Sequence, residues 1–391
     1  MIPKAGLLYV ILLFLIPGYA VSQTGSFRLN PGLVQPKDSL ARSQLLTALQ
    51  SFLAAGKQPN NENRQIGLSY RAETYLLLDE WKDIEQNETL KDASFYKPYL
   101  TNIVALPDSA YLIQLSYTGT KRDTALLRAN FSVLAHKAQN SFVFSSPLLN
   151  ATRNWKVRKQ GNFTFHYQNT LNRKKAKEYS RLASSFDKKL GSPVVSTGIY
   201  CTSGLTEGGR LIGMDYKADY NGMAEGTWSS SADNRETIVL GDNNADFSHF
   251  DPHDLFHDRL SLVIPRNKVN RPVDEGCAYL YGGSWGLSWH QVFTAFREQV
   301  ASDSSVNWAA VKEKPLYFKT NGFRNAADYI VNALLVQKIE KEKGFAGVWQ
   351  LLNVGPFEKG NEKYYARLEM LTGITKSGYN QAIWKLIQNQ P

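Results

Sequence analysis

Asp251-Pro252-His253-Asp254-Leu255-Phe256-His257, with Val273-Asp274-Glu275-Gly276 shortly after it, is the stretch around which the chain is organised. Side chains four residues apart lie one turn above each other on a single helix face. His253 and His257 therefore present two imidazoles to one ion. A carboxylate from a following helix could complete the protein ligands, leaving one position open for water. The helix is well signalled. Asp251 is a good N-cap, Pro252 suits the first helical position, and an apolar run follows to Ile264 before Pro265 stops it.

The arrangement resembles the gluzincin metallopeptidases, in particular those with a peptidase-MA-like domain. Their motif is H-E-x-x-H, followed by a glutamate ligand that often sits in an E-G-x-A context. The matching residues are His253, His257 and Glu275, the last within Glu275-Gly276-Cys277-Ala278. The resemblance implies Zn2+ held by these three side chains. It departs at the second motif position, where Asp254 replaces the glutamate that serves the family as general base. Aspartate offers the same acid with one methylene less reach.

Plainer roles compete for the same residues. The two histidines can be ordinary helix residues, but only 6 histidines occur in the chain, and two fall at this spacing with Glu-Gly-x-Ala downstream. Asp254 stands at the third helical position, where an acid meets the helix dipole favourably. His249 is four residues before His253, yet Pro252 begins the helix between them, so His249 need not share its face.

The first 22 residues read as a secretory signal, with Lys4, an apolar core from Leu7 to Ile16, and small residues before Gln23. The expected location is periplasmic or secreted. The apolar run is short and interrupted by Pro17 and Gly18, and no later segment is apolar enough to cross a bilayer. The net charge of +10 comes from dispersed Lys and Arg without a long basic run, so a nucleic-acid partner is not expected. Cys201 and Cys277 either pair or stay as two buried thiols; Cys277, two residues from Glu275, points to a different side of a helix.

The length of the mature chain suggests two domains, at residues 23–150 and 151–391, and an α+β class overall. In the first, Ser39–Ala55 and Tyr70–Ile84 read as helices, followed by strands over Ala110–Tyr117, Ala125–His136 and Asn140–Pro147. This pattern is loosely similar to cone-shaped folds of the NTF2 kind. Asn87, Asn130, Asn150 and Asn162 begin N-x-S/T sequons. The second region carries the zincin resemblance. It reads as a strand pair over Trp155–Tyr167, a helix over Arg173–Leu190, a strand over Pro193–Tyr200 and a short helix over Leu205–Ile212. A polar surface loop over Met214–Asp233 and a strand over Glu236–Gly241 come next; beyond the Glu275 helix the remainder reads as helical. The resemblance implies that the Glu236–Gly241 strand forms the upper edge of the cleft and pairs with an extended substrate.

Three mechanisms follow. In the first, a zinc peptidase acts on a peptide or protein substrate, Asp254 takes a proton from the attacking water, and Tyr279, His290 or Tyr329 steadies the oxyanion. In the second, the same fold holds the metal but only binds a peptide or glycan. In the third, His-Asp marks an HD-type phosphohydrolase; strands before the motif and the lack of a completing histidine and aspartate count against it.

Overall fold

The computed structural model describes residues 26–390, so the expected signal segment lies outside the described residues. The chain is α+β, and its contacts divide it into two compact units. Unit one comprises residues to Gly67, Leu78–Ser145 and Tyr216–Ala218; Leu68–Leu77 and the rest of the chain form unit two. No described helix is long and apolar enough to cross a membrane.

Unit one is a sheet with a helix layer. Its strands β1 (Arg28–Leu29), β2 (Lys97–Ala105), β3 (Tyr111–Lys121), β4 (Thr124–Ala138) and β5 (Ser141–Ser145) pair in that order, all antiparallel except β1 with β2. Alternation along β3 buries Ile113, Leu115 and Tyr117. The helix α1 (Ser39–Ala55) is capped by the Asp38 side chain and buries Leu45, Ala48, Leu49 and Phe52 on one face. Phe52 stacks on Phe144 at 4.7 Å and meets the edge of Trp81 at 5.8 Å. Trp81 ends α2 (Arg71–Trp81), whose residues to Leu77 belong to unit two. The sequence reading has no strand at β2. The register of that strand shifts between Leu100 and Asn102, and this bulge breaks the alternation that would reveal it.

Unit two opens with α3 (Leu148–Ala151) and a five-stranded sheet. Its first members are β6 (Lys156–Gln160), β7 (Phe163–Tyr167) and β8 (Ser196–Cys201), with α4 (Arg173–Leu190) crossing between β7 and β8. After α5 (Leu205–Ile212) the chain forms β9 (Met214–Lys217), whose Tyr216 and Lys217 belong to unit one, where the strand joins the sheet beside β4. Then come β10 (Thr227–Ala232) and β11 (Arg235–Leu240), giving the order β10-β11-β8-β7-β6. The three inner strands are parallel and the two outer ones antiparallel to them. Met214–Asp233 is not one loop, because it contains β9 and β10. The strand before the histidine helix is not at the sheet edge: β11 is paired on both sides, so its backbone is already used and β10 is the outer strand.

Helices follow: α6 (Pro252–Ser261), α7 (Arg271–Gly282), α8 (Trp289–Gln299) and α9 (Trp308–Glu313). The remainder is not wholly helical, since β12 (Tyr317–Thr320) and β13 (Phe323–Ala326) form a hairpin. The chain closes with α10 (Ala327–Leu352), α11 (Glu362–Thr372) and α12 (Tyr379–Gln388). Gly344 interrupts α10 with φ +67, a conformation that favours glycine. One hydrophobic core joins Phe165 and Ile199 of the sheet to Phe186 of α4, Phe256 of α6, Cys277 of α7 and Leu334 of α10.

Candidate metal centre

The centre lies where α6 and α7 meet. Asp251 caps α6 by accepting from the backbone N–H of His253 at 2.8 Å, and Pro252 occupies the first turn. Arg259, 1% exposed, fastens the helix from behind. Its guanidinium donates to both carboxylate oxygens of Asp187, at 2.7 and 3.1 Å, and to Glu236 at 2.8 Å. The two helices touch backbone to backbone at Gly282, where a Cβ would fall 2.4 Å from the amide nitrogen of His253. Gly276 plays the same part on another side of α7, since its Cβ would fall 2.7 Å from the amide nitrogen of Ala333 on α10.

His253, His257 and Glu275 come together, with their candidate ligand atoms within 4.8 Å of one another. Nε2 of His257 is 3.2 Å from Nε2 of His253, and the latter is 3.3 Å from Oε2 of Glu275. Nε2 of His257 is 3.7 Å from Oε1 of the same carboxylate. The other ring nitrogens are occupied: Nδ1 of His253 by the carbonyl of Gly283 at 2.8 Å, Nδ1 of His257 by Asp274 at 2.7 Å. With each Nδ1 donating, both Nε2 atoms face the middle of the cluster, and a cation would take the place of the second proton on His257. Ligands at about 2.0–2.1 Å around a tetrahedral zinc stand roughly 3.3–3.4 Å apart. The separation of the two imidazole nitrogens and that of His253 from Oε2 match two edges of such a tetrahedron, while His257 lies nearer the other oxygen of the same carboxylate. The donor set of two neutral imidazoles and a carboxylate suits a divalent cation.

Electrostatics agree with a site built for positive charge. Burial opposes charge on His257, but its hydrogen bonds to the carboxylates of Asp274 and Glu275 outweigh it and raise the imidazole to about 9. Burial likewise opposes ionisation of Glu275, yet His253, His257 and Arg271 hold it well below the usual carboxylate range. Arg271, one turn before Glu275 on α7, forms an ion pair with that carboxylate.

Asp254 lies exposed on α6 beside the cluster, and its side chain makes no hydrogen bond among the described residues. The protein around its carboxyl, and then Asp251, raise it above the ordinary aspartate range. Of the candidate oxyanion donors, Tyr279 packs the edge of its ring against His253 at 4.9 Å and donates to Asn325 at 2.7 Å. Tyr329 packs near Tyr279, with ring centroids 6.3 Å apart, and His290 is exposed on α8. His249 is apart from the cluster and pairs with Asp242 at 3.2 Å. Cys201 and Cys277 are free, buried thiols, not a disulfide.

The sequence reading assigned no role to Asp274, Arg271 or the Gly283 carbonyl. Arg271 was detectable as an i, i+4 partner of Glu275. Asp274 carried only its adjacency to Glu275, and a backbone carbonyl carries no side-chain signal. No protein-family model matches this chain, and a search of curated proteins found no match either.

Proposed function

We propose that the chain is an exported zinc-dependent peptidase of gluzincin type, with residues 151–391 as its metal-binding domain and residues 1–22 as its export signal. The observation that carries this reading is the spacing of the three ligand atoms, with both histidine Nδ1 positions tied to acceptors. His253, His257 and Glu275 would hold the ion. Bound zinc supplies a Lewis acid that polarises a carbonyl and eases loss of a proton from water near neutral pH. Asp254, raised above its usual range, would take that proton and pass it to the leaving amine. Asp274 fixes the ring of His257, and the Gly283 carbonyl fixes that of His253.

A second reading is a protein of the same fold that keeps the ion and binds a peptide or glycan uncut. The exposure of Asp254 and its side chain's lack of a hydrogen bond among the described residues favour it. Elemental analysis of the purified protein, run beside hydrolysis of a mixed peptide library, separates the readings. Metal with cleavage supports the enzyme, metal without cleavage the binding protein, and no first-row metal overturns both.

A further inference from the structure

A second candidate site lies in unit one and shares no residue with the metal centre. A cavity of about 210 Å³ opens between the end of α1, the end of α2 and the turn that follows it. Phe52, Leu78, Trp81 and Tyr117 form its apolar walls, and Lys57 and Glu85 stand in its lining as an ion pair at 2.6 Å. An apolar cavity of about 150 Å³ holds benzene, so this one has room for a somewhat larger ring system.

Lys82, Asp83 and Gln86 also line the cavity, all exposed, whereas the Tyr117 hydroxyl is a buried polar group on its aromatic wall. The indole N–H of Trp81 donates to the Tyr117 hydroxyl at 2.7 Å, which leaves the tyrosine's own hydrogen to donate. Burial pushes this phenol well above its ordinary range, so it stays protonated. Apolar and aromatic walls with a few placed polar groups are the usual make-up of a small-molecule pocket.

We propose that this cavity binds a mono- or bicyclic apolar ring compound carrying one hydrogen-bond acceptor, which Tyr117 recognises. The ring would lie against Trp81 and Phe52.

The probes are 1-indanone, a fused ring with one carbonyl, and indane, the same ring system without it. Both are titrated calorimetrically into the full-length chain. Saturable binding of both is expected, and Leu53→Trp, which fills the cavity from α1, should abolish it. Ala93→Trp narrows the opening from an exposed position, so it serves if the first variant fails to fold. Tyr117→Phe should lower the ratio of indanone to indane affinity by about fivefold, the scale of one hydrogen bond. Absence of saturable binding to wild type, or binding that the folded tryptophan variants leave intact, overturns the site. An affinity ratio that Tyr117→Phe does not move overturns the role of the hydroxyl.

Discussion

Asp274, buried to 1% exposure, receives the Nδ1–H of His257 at 2.7 Å and so settles which nitrogen of that ring faces the cluster. Partners of this kind orient ligands and make them more basic.

Removing that charge should weaken metal binding without abolishing it. Asp274→Asn is expected to lower zinc affinity by about 10–100-fold, the usual range for an outer partner. His257→Ala should bring binding to background. Competition against a chromophoric chelator measures both, and unchanged affinity in Asp274→Asn would show that the pair is merely structural.

Asp254 decides between enzyme and binding protein. As a general base, its change to asparagine should leave zinc bound and cut peptide hydrolysis by about 10²-fold or more. As a first-turn acid only, the same change should cost about 1 kcal/mol of stability or less and nothing else. Asp254→Glu sharpens the comparison. A site adapted to aspartate loses activity with the longer side chain, whereas an eroded peptidase gains it. Rates on a mixed peptide library, with metal content checked in each variant, give the answer.

The contact at Gly282 predicts a steric phenotype. Gly282→Ala sets a methyl against the backbone of His253 and should destabilise the chain by about 1–3 kcal/mol while weakening metal binding. Gly286→Ala is the control, because nothing lies near its added methyl. Its φ of +75 gives a backbone penalty of about 1 kcal/mol and leaves the metal in place. Urea melts with metal titrations distinguish the two; equal loss of metal in both variants would refute the contact argument.

His166 predicts acid sensitivity away from the centre. Burial lowers this imidazole from its ordinary 6.5 to about 4, while it stacks flat on Tyr200 at 4.3 Å. Between those two values the unfolded chain takes up a proton that the folded chain refuses. Its contribution is therefore fully present above about pH 6.5 and lost as pH falls toward 4. With its ring half-buried, about 2 kcal/mol is the expected scale. His166→Phe should flatten that part of the stability curve, as read from urea melts at pH 7.5 and 5.0. An unaltered slope would mean that other groups set the acid limb.

How much of this was legible in the sequence depended on which signals act locally. Helices α1 and α4 announce themselves by caps and apolar spacing, and their limits match the sequence reading at Ser39–Ala55 and Arg173–Leu190. The strand β10 does not, because only Trp228 among its residues is buried and the rest are mostly polar. The β12–β13 hairpin is four residues a side, too short for alternation to stand out from helical spacing. At the site, the histidine spacing is a property of one helix and could be read directly. The partners of those histidines come from α7 and the turn after it, so only the folded chain brings them into view.

The glycines of α7 have a consequence for how such a centre drifts through evolution. Side chains that separate two helices transmit every change of their size to whatever the helices carry. At Gly276 and Gly282 the neighbours rest on main chain, whose thickness mutation elsewhere cannot alter. At the Gly282 contact, the approach of α7 to the histidine helix is thus gauged by backbone and not by a replaceable side chain. A lineage could rebuild the surrounding core, or exchange the residue at position 254, and still inherit the three-ligand geometry intact.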